Sequence, residues 1–245
     1  MWILNDAEVS FAFFDVDHTL LEGSTGKYLA DVVRKRGLLP FSLLLKLGIF
    51  YFQYRTGWFH PHHLWPLLQK LKGVDIKEVQ ELAEEVFLNK VKPNLYQEAV
   101  ELIVKEREAG RCVILATSAP RTLVLPLAAY LEIDHVISTQ MEVREGRITG
   151  AFEDSPAFGA EKHRKVADFV AEHGGSLSRC SFYSDSYYDL PLLEEVQEAV
   201  AVNPDRRLRK EARRRGWKVL RFERKLGQRE VEVGGGGCGK VSPRS

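Results

Sequence analysis

Short apolar runs in this chain repeatedly end on carboxylates or hydroxyls. Ser10 to Val16 reads SFAFFDV and leads into Asp17, Cys112 to Thr117 reads CVILAT and leads into Ser118, and Arg179 to Ser184 reads RCSFYS and leads into Asp185. Runs this short, rich in aromatic or branched residues and bounded by polar ones, suit buried strands more than helices. Val136 to Thr139, Ala199 to Val202 and Lys218 to Phe222 are weaker strand candidates. Helical patterns separate them: Leu95 to Ala109, ended by Gly110; Arg121 to Leu131; Glu161 to His173, ended by Gly174-Gly175; and a short one over Leu190 to Val196. Met141 to Phe152 alternates about Glu145-Gly146 and predicts a small hairpin.

Strands alternating with helices define an α/β fold, a Rossmann-like parallel sheet covered by helices on both faces. Right-handed crossovers bring the strand ends to one edge, where open sheets of this kind carry their sites. One stretch breaks the alternation. Between Glu22 and Lys90 there are helical patterns and no convincing strand: Gly26 to Arg36, the apolar Leu38 to Tyr54, Phe59 to Lys72 with Pro66 at a bend, and a helix capped by Asp75 that runs through Leu88. We therefore expect a discontinuous core (1–21 and 91–230), an all-helical cap (22–90), and a Gly-rich flexible tail (231–245).

The whole-chain numbers exclude little but are useful. With 245 residues the chain can bury a large core without disulfides. Cys112, Cys180 and Cys238 have neither zinc spacing nor a disulfide pattern, and a reducing cytoplasm is the expected location. A formal net charge of +1 gives no global pull toward nucleic acid, and the basic Arg206 to Lys225 section reads as a solvated helical face. No secretory leader and no charge-free bilayer-length run is expected; Leu38 to Phe52, broken by Ser42 and Lys46, comes nearest.

The polar residues fall at the predicted strand ends: Asp15 and Asp17, Thr117 and Ser118, Asp185, and Asp189 four residues later, with Lys162 opening the helix before the third run. Carboxylates gathered in one place repel unless a hard cation joins them, and magnesium accepts both carboxylate and phosphate oxygens. A lysine offsets charge on a transferring phosphoryl group. Hydroxyls and N–H groups beyond a strand, here Thr117 and Ser118, can hold phosphate oxygens. In extended chain, residues i and i+2 point the same way. Asp15 can then attack phosphorus to form an aspartyl-phosphate, while Asp17 protonates the leaving oxygen and later activates water.

The order FFDVDHT, ILATSAP, Lys162, YSDSYYD closely resembles the haloacid dehalogenase-like (HAD) superfamily, and the helical segment between the first two motifs resembles its phosphoserine-phosphatase-like branch (subfamily IB). Even NPDRRLRKEARRRGW, Asn203 to Trp217, looks like the closing section of such proteins. The resemblance implies Asp15 as nucleophile and Asp17 as general acid/base; magnesium held by Asp15, the Asp17 backbone carbonyl and Asp185; Asp189 as acidic support; Thr117 and Lys162 as the second- and third-motif residues; and Thr19 as an organiser of the first loop.

The substrate is less legible. The resemblance implies a glutamate seven residues after Asp17, where this chain has Ser24, with Glu22 two positions away; and a Ser-Gly-Gly second motif, where it has Thr117-Ser118-Ala119-Pro120. Both departures count against phosphoserine. Arg55 is a candidate for binding an acidic substrate group, and His60, His62 and His63 read as loop composition rather than a metal site. The expected activity is magnesium-dependent hydrolysis of a small phosphorylated metabolite. The alternatives are a lipid-headgroup phosphatase of the phosphatidylglycerophosphate type, phosphotransfer to an alcohol, and a non-catalytic lipid-binding adaptor with peripheral membrane contact through Leu38 to Phe52.

Overall fold

A computed structural model describes residues 10–36 and 69–227. The expectations for Leu38 to Phe52, Arg55, the His60 to His63 group and the Gly-rich tail lie outside the described residues.

Among the described residues the first element is β1 (Phe11–Phe14); α1 (Thr25–Lys35) comes after it, and α2 (Ile76–Val86) is the first helix of the second described stretch. Then come α3 (Gln97–Glu108), β2 (Cys112–Pro120), α4 (Arg121–Tyr130) and β3 (His135–Thr139). A two-stranded antiparallel pair follows, β4 (Met141–Arg144) with β5 (Arg147–Phe152). The rest is α5 (Ala160–Glu172), β6 (Ser181–Ser184), α6 (Leu190–Leu193), β7 (Glu198–Val202), α7 (Arg206–Arg215) and β8 (Lys218–Leu220). The main sheet has the order β3-β2-β1-β6-β7-β8, every pair parallel.

The two-residue period of β1 explains its central place. Phe11 and Phe13 face one core cluster, with Val166 and Val170 of α5, Leu192 and Leu193 of α6, and Leu208 and Ala212 of α7. Ala12 and Phe14 face the other, with Ala99 and Ile103 of α3 and Val124 and Leu127 of α4. A strand buried on both faces has to be apolar at every position, which is why this run does not alternate.

The helical insertion leaves and re-enters the core through paired crossings. Glu22 N donates to Asn94 O at 2.9 Å, and Tyr96 N to Leu20 O at 2.9 Å. The C-terminal segment lies alongside: Gln97 N donates to Arg224 O at 2.8 Å and Leu226 N to Leu95 O at 3.0 Å.

Several boundaries differ from expectation. β1 ends at Phe14 rather than Val16, although Asp15 N still donates to Tyr183 O at 2.9 Å and so prolongs the ladder by one bond. β2 runs on through Thr117 and Ser118 to Pro120, which pairs with Thr139 after a register irregularity. The helix capped by Asp75 stops at Val86 and widens into a π turn, Phe87–Val91, before a 3₁₀ turn, Lys92–Asn94. β6 starts at Ser181, after a 3₁₀ turn over Leu177–Arg179, and β8 stops at Leu220. The hairpin turns where expected, with Glu145 at φ +50° and Gly146 at φ +76°, the paired left-handed conformations of a type I′ turn.

Candidate active site

β1 and β6 are parallel neighbours, with Phe14 in register with Tyr183. Their C-terminal ends therefore deliver Asp15 and Asp185 side by side. His18, at φ +61°, turns the chain beyond Asp17 and donates its N–H to Gly23 O at 2.8 Å. Histidine tolerates this region better than most residues. The turn folds Thr19 back into the core, where its hydroxyl accepts from Asp185 N at 2.9 Å and lies 3.4 Å from Asp15 Oδ2 as donor.

Lys162 comes from the first turn of α5 and is buried with its partners. Its Nζ lies 3.0 Å from Asp15 Oδ1 and 2.9 Å from Asp189 Oδ1. Asp189 also accepts from the Ser184 hydroxyl at 2.6 Å. The cluster thus runs Ser184, Asp189, Lys162, Asp15, Thr19, Asp185, with each link a hydrogen bond or ion pair. Asp17 lies just beyond the end of β1, half-buried, and accepts from Thr25 N at 2.8 Å and from Thr25 Oγ1 at 3.3 Å.

Burial sets the electrostatics. It pushes the Asp15 carboxyl up to about 7; the Lys162 ammonium opposes this, while Asp189 and Asp17 add to it. Burial also lifts Asp17 to about 6, against the two hydrogen bonds from Thr25. Burial alone would lower Lys162, but the Asp15 and Asp189 carboxylates hold it above the usual lysine range.

Thr117 is buried within β2, and its hydroxyl accepts from Ala119 N at 3.2 Å. Ser118 is half-buried, and its carbonyl accepts from the Thr139 hydroxyl at 2.8 Å. The two weaker candidates from the first loop are engaged elsewhere. Ser24 caps α1, accepting from Lys27 N at 3.3 Å, and the exposed Glu22 pairs with Lys225. Sequence reasoning missed Thr25, Ser184 and Asp205, whose carboxylate accepts from Tyr187 N at 2.9 Å and so anchors the loop after β6. Only Ser184 left a signal, a polar residue closing an apolar run. A cavity of about 460 Å³ opens between β3 and α5, lined by Arg121, Ser138 and Lys165, and none of the clustered residues above lines it.

Among the described residues, no three acid, imidazole or thiol side chains converge as a metal cage. Magnesium does not require one: it is commonly held by one or two carboxylates, with waters and substrate phosphate completing its shell. Asp15 and Asp185, buried and linked through Thr19, fit that donor chemistry.

Comparison with known proteins agrees with this geometry. The family model for haloacid dehalogenase-like hydrolases matches residues 12–194. A probable phosphatase of Mycobacterium tuberculosis is 33% identical over 225 residues, covering 89% of this chain and 77% of its own length. A histidinol-phosphatase of Neisseria meningitidis serogroup C is 31% identical over 224 residues, covering 87% of this chain and 99% of its own. A crystal structure of a Bordetella pertussis protein of unknown function superposes with a TM-score of 0.79 at 30% identity, covering 87% of this chain and 99% of that one. The chain belongs to the haloacid dehalogenase-like hydrolases. Within them it is a phosphatase of the phosphoserine-phosphatase-like branch.

Proposed function

We propose that this protein hydrolyses a small phosphomonoester with magnesium, through an aspartyl-phosphate on Asp15. The observation that carries the reading is the buried ion pair of Lys162 with both Asp15 and Asp189, set beside an Asp17 whose carboxylate is held at both oxygens by Thr25. In the first step Asp15 forms a bond to phosphorus, the bond to the leaving oxygen breaks, and Asp17 gives that oxygen its proton. In the second, water attacks phosphorus, Asp17 takes the water proton, and the bond from Asp15 to phosphorus breaks, releasing inorganic phosphate. Lys162 holds Asp15 in place and faces the transferring phosphoryl group as a fixed cation. Thr117 and Ser118 are the phosphate-binding residues of this reading, and Asp189, held by Ser184, keeps Lys162 oriented. Magnesium, held by Asp15, Asp185 and the Asp17 carbonyl, would supply charge neutralisation at the phosphoryl oxygens.

A histidinol-phosphatase among the relatives favours a small metabolite ester. The lipid-headgroup and adaptor readings drew on Leu38 to Phe52, outside the described residues, and no helix among the described residues is long and apolar enough to cross a membrane. The test is a screen of phosphorylated metabolites and lipids, with magnesium and with chelator, using Asp15→Asn as control. Phosphate release that survives in Asp15→Asn sinks the assignment of the nucleophile. Transfer of phosphate to an added alcohol in preference to water sinks the hydrolase reading.

A further inference from the structure

Thr25 is the first residue of α1, in the helical insertion, yet it is buried and turned toward the strand end. Both hydrogen bonds that the Asp17 carboxylate accepts among the described residues come from it: the backbone N–H reaches Oδ1 at 2.8 Å and the hydroxyl reaches Oδ2 at 3.3 Å. Ser24 fixes the turn that presents Thr25, because its own hydroxyl accepts from Lys27 N at 3.3 Å and its main chain is extended. The neighbouring carboxylate is handled differently. Asp15 is held by Lys162 of α5 and Thr19 of the first loop, both in the core.

Resting on the reading above, we infer that Thr25 is a positioning residue for proton transfer: it orients the Asp17 carboxyl toward the leaving oxygen and ties that orientation to α1. An ionised carboxylate has roughly four acceptor sites. Thr25 occupies one on each oxygen and so fixes the plane of the group, leaving the remaining sites to meet the substrate. A carboxyl held at one oxygen rotates about its Cβ–Cγ bond, and a proton presented out of line is transferred poorly. The helix N-terminus adds a favourable electrostatic contact for the carboxylate formed once the proton has left.

This role makes a prediction that a merely structural one does not. The p-nitrophenolate anion departs without help from an acid, whereas an alkoxide needs its proton as it leaves. We therefore compare kcat/KM for p-nitrophenyl phosphate and glycerol 2-phosphate, because this ratio covers the steps through formation of the phosphoenzyme. Thr25→Val keeps the branched shape and removes the hydroxyl. It should lower kcat/KM for glycerol 2-phosphate by about 10-fold or more and leave p-nitrophenyl phosphate within about threefold of wild type. Thr25→Ser, which restores the hydroxyl, should recover most of the loss. If Thr25→Val fails to fold, Thr25→Ala is read in the same contrast. Equal losses on both esters, no loss on either, or no recovery with serine overturns the inference. A wild type that releases phosphate from neither ester nor any compound of the metabolite screen overturns the proposed hydrolysis, and this inference with it.

Discussion

Lys162 Nζ lies 3.0 Å from Asp15 Oδ1, and both side chains are cut off from solvent. Asp189 meets the same ammonium from the other side, at 2.9 Å. One cation thus faces two buried carboxylates, and removing it leaves both uncompensated. Lys162→Met should lower turnover by about 10²-fold or more through loss of charge stabilisation. It should also destabilise the metal-free protein at pH 8 by about 3–5 kcal/mol, the usual result of breaking a buried pair. The sign of the pH effect follows from Asp15, whose carboxyl is already raised to about 7 with the lysine present. A raised acid favours the folded state when protonated, so the deficit of Lys162→Met should shrink from pH 8 to pH 5. Thermal melts of both proteins across that range check it; a deficit that grows toward pH 5 contradicts the ion-pair account.

Thr19 reaches the proposed metal site without supplying a donor to it. Its hydroxyl joins the Asp185 backbone N–H to Asp15 Oδ2, so it ties the main chain that carries one carboxylate to the other carboxylate itself. Groups that orient metal ligands typically change affinity by about 10–100-fold when removed. Thr19→Val should therefore raise the magnesium concentration for half-maximal phosphate release by about 10-fold, with most of the maximal rate recovered at saturating magnesium. A titration of rate against magnesium separates this from a loss of rate at unchanged affinity, which would assign Thr19 to the chemistry instead.

What the sequence made legible follows from periodicity, and what it hid follows from tertiary contact. Asp15, Asp17 and Asp185 could be placed on one edge because each terminates an apolar run, and run ends become strand ends in a parallel sheet. The full length of β2 was hidden, because Thr117 to Pro120 looks like a polar loop until Pro120 finds Thr139. Thr25 was hidden for a related reason. Nothing in GSTG distinguishes a helix cap from a hydrogen-bond partner of Asp17, and Ser24 turned out to be the cap. The end of the helix capped by Asp75 was misplaced because the π turn over Phe87–Val91 continues the helical spacing of apolar residues that the sequence displays.

Asp31 on α1 gathers Lys90 at 2.8 Å, Arg34 at 2.9 Å and Lys35 at 3.3 Å, and the Lys90 contact joins the two ends of the helical insertion. The hydrogen bond from Lys90, then that from Arg34, holds the carboxyl well below the usual carboxylate range. A lowered acid stabilises the fold above its unfolded pKa, and that contribution is lost as pH falls through the folded value. The group is partly exposed, so the effect is about 0.5–1 kcal/mol, or about 1–3 °C in a chain of this size. Asp31→Asn should melt lower than wild type from pH 8 down to about 4, and the gap should narrow only below that, as pH falls from the unfolded value toward the lowered folded one. About 1 M salt should narrow it as well. A gap that neither begins to narrow below about pH 4 nor responds to salt points to packing rather than charge.

At the opposite ends of the strands, Glu106 of α3 is buried in a second network whose purpose is support. Its carboxylate accepts from Tyr183 Oη at 2.7 Å and from Arg111 at 2.6 Å, with Ser181 Oγ at 3.4 Å. Burial first, and then the Glu106 carboxylate, pushes the Tyr183 phenol above its usual range, so it remains a donor throughout. Tyr183 also stacks on Phe14, ring centroids 4.3 Å apart at 7°, so the network pins α3 to the strand that leads into Asp15. Glu106→Ala strands the phenol and weakens the hold on Arg111, which keeps Glu198 at 3.3 Å. The expected loss is about 2–4 kcal/mol, below the full cost of breaking a buried pair because that second partner remains. Tyr183→Phe should cost about 1 kcal/mol, and the double variant less than the sum, because the two changes remove the same bond. Urea unfolding of the four proteins gives the coupling directly. The kcat/KM of each folded variant should stay near wild type, since none of these groups reaches the carboxylate cluster; a parallel fall in kcat/KM would show that the network sets the position of Asp15 as well as the stability of the sheet.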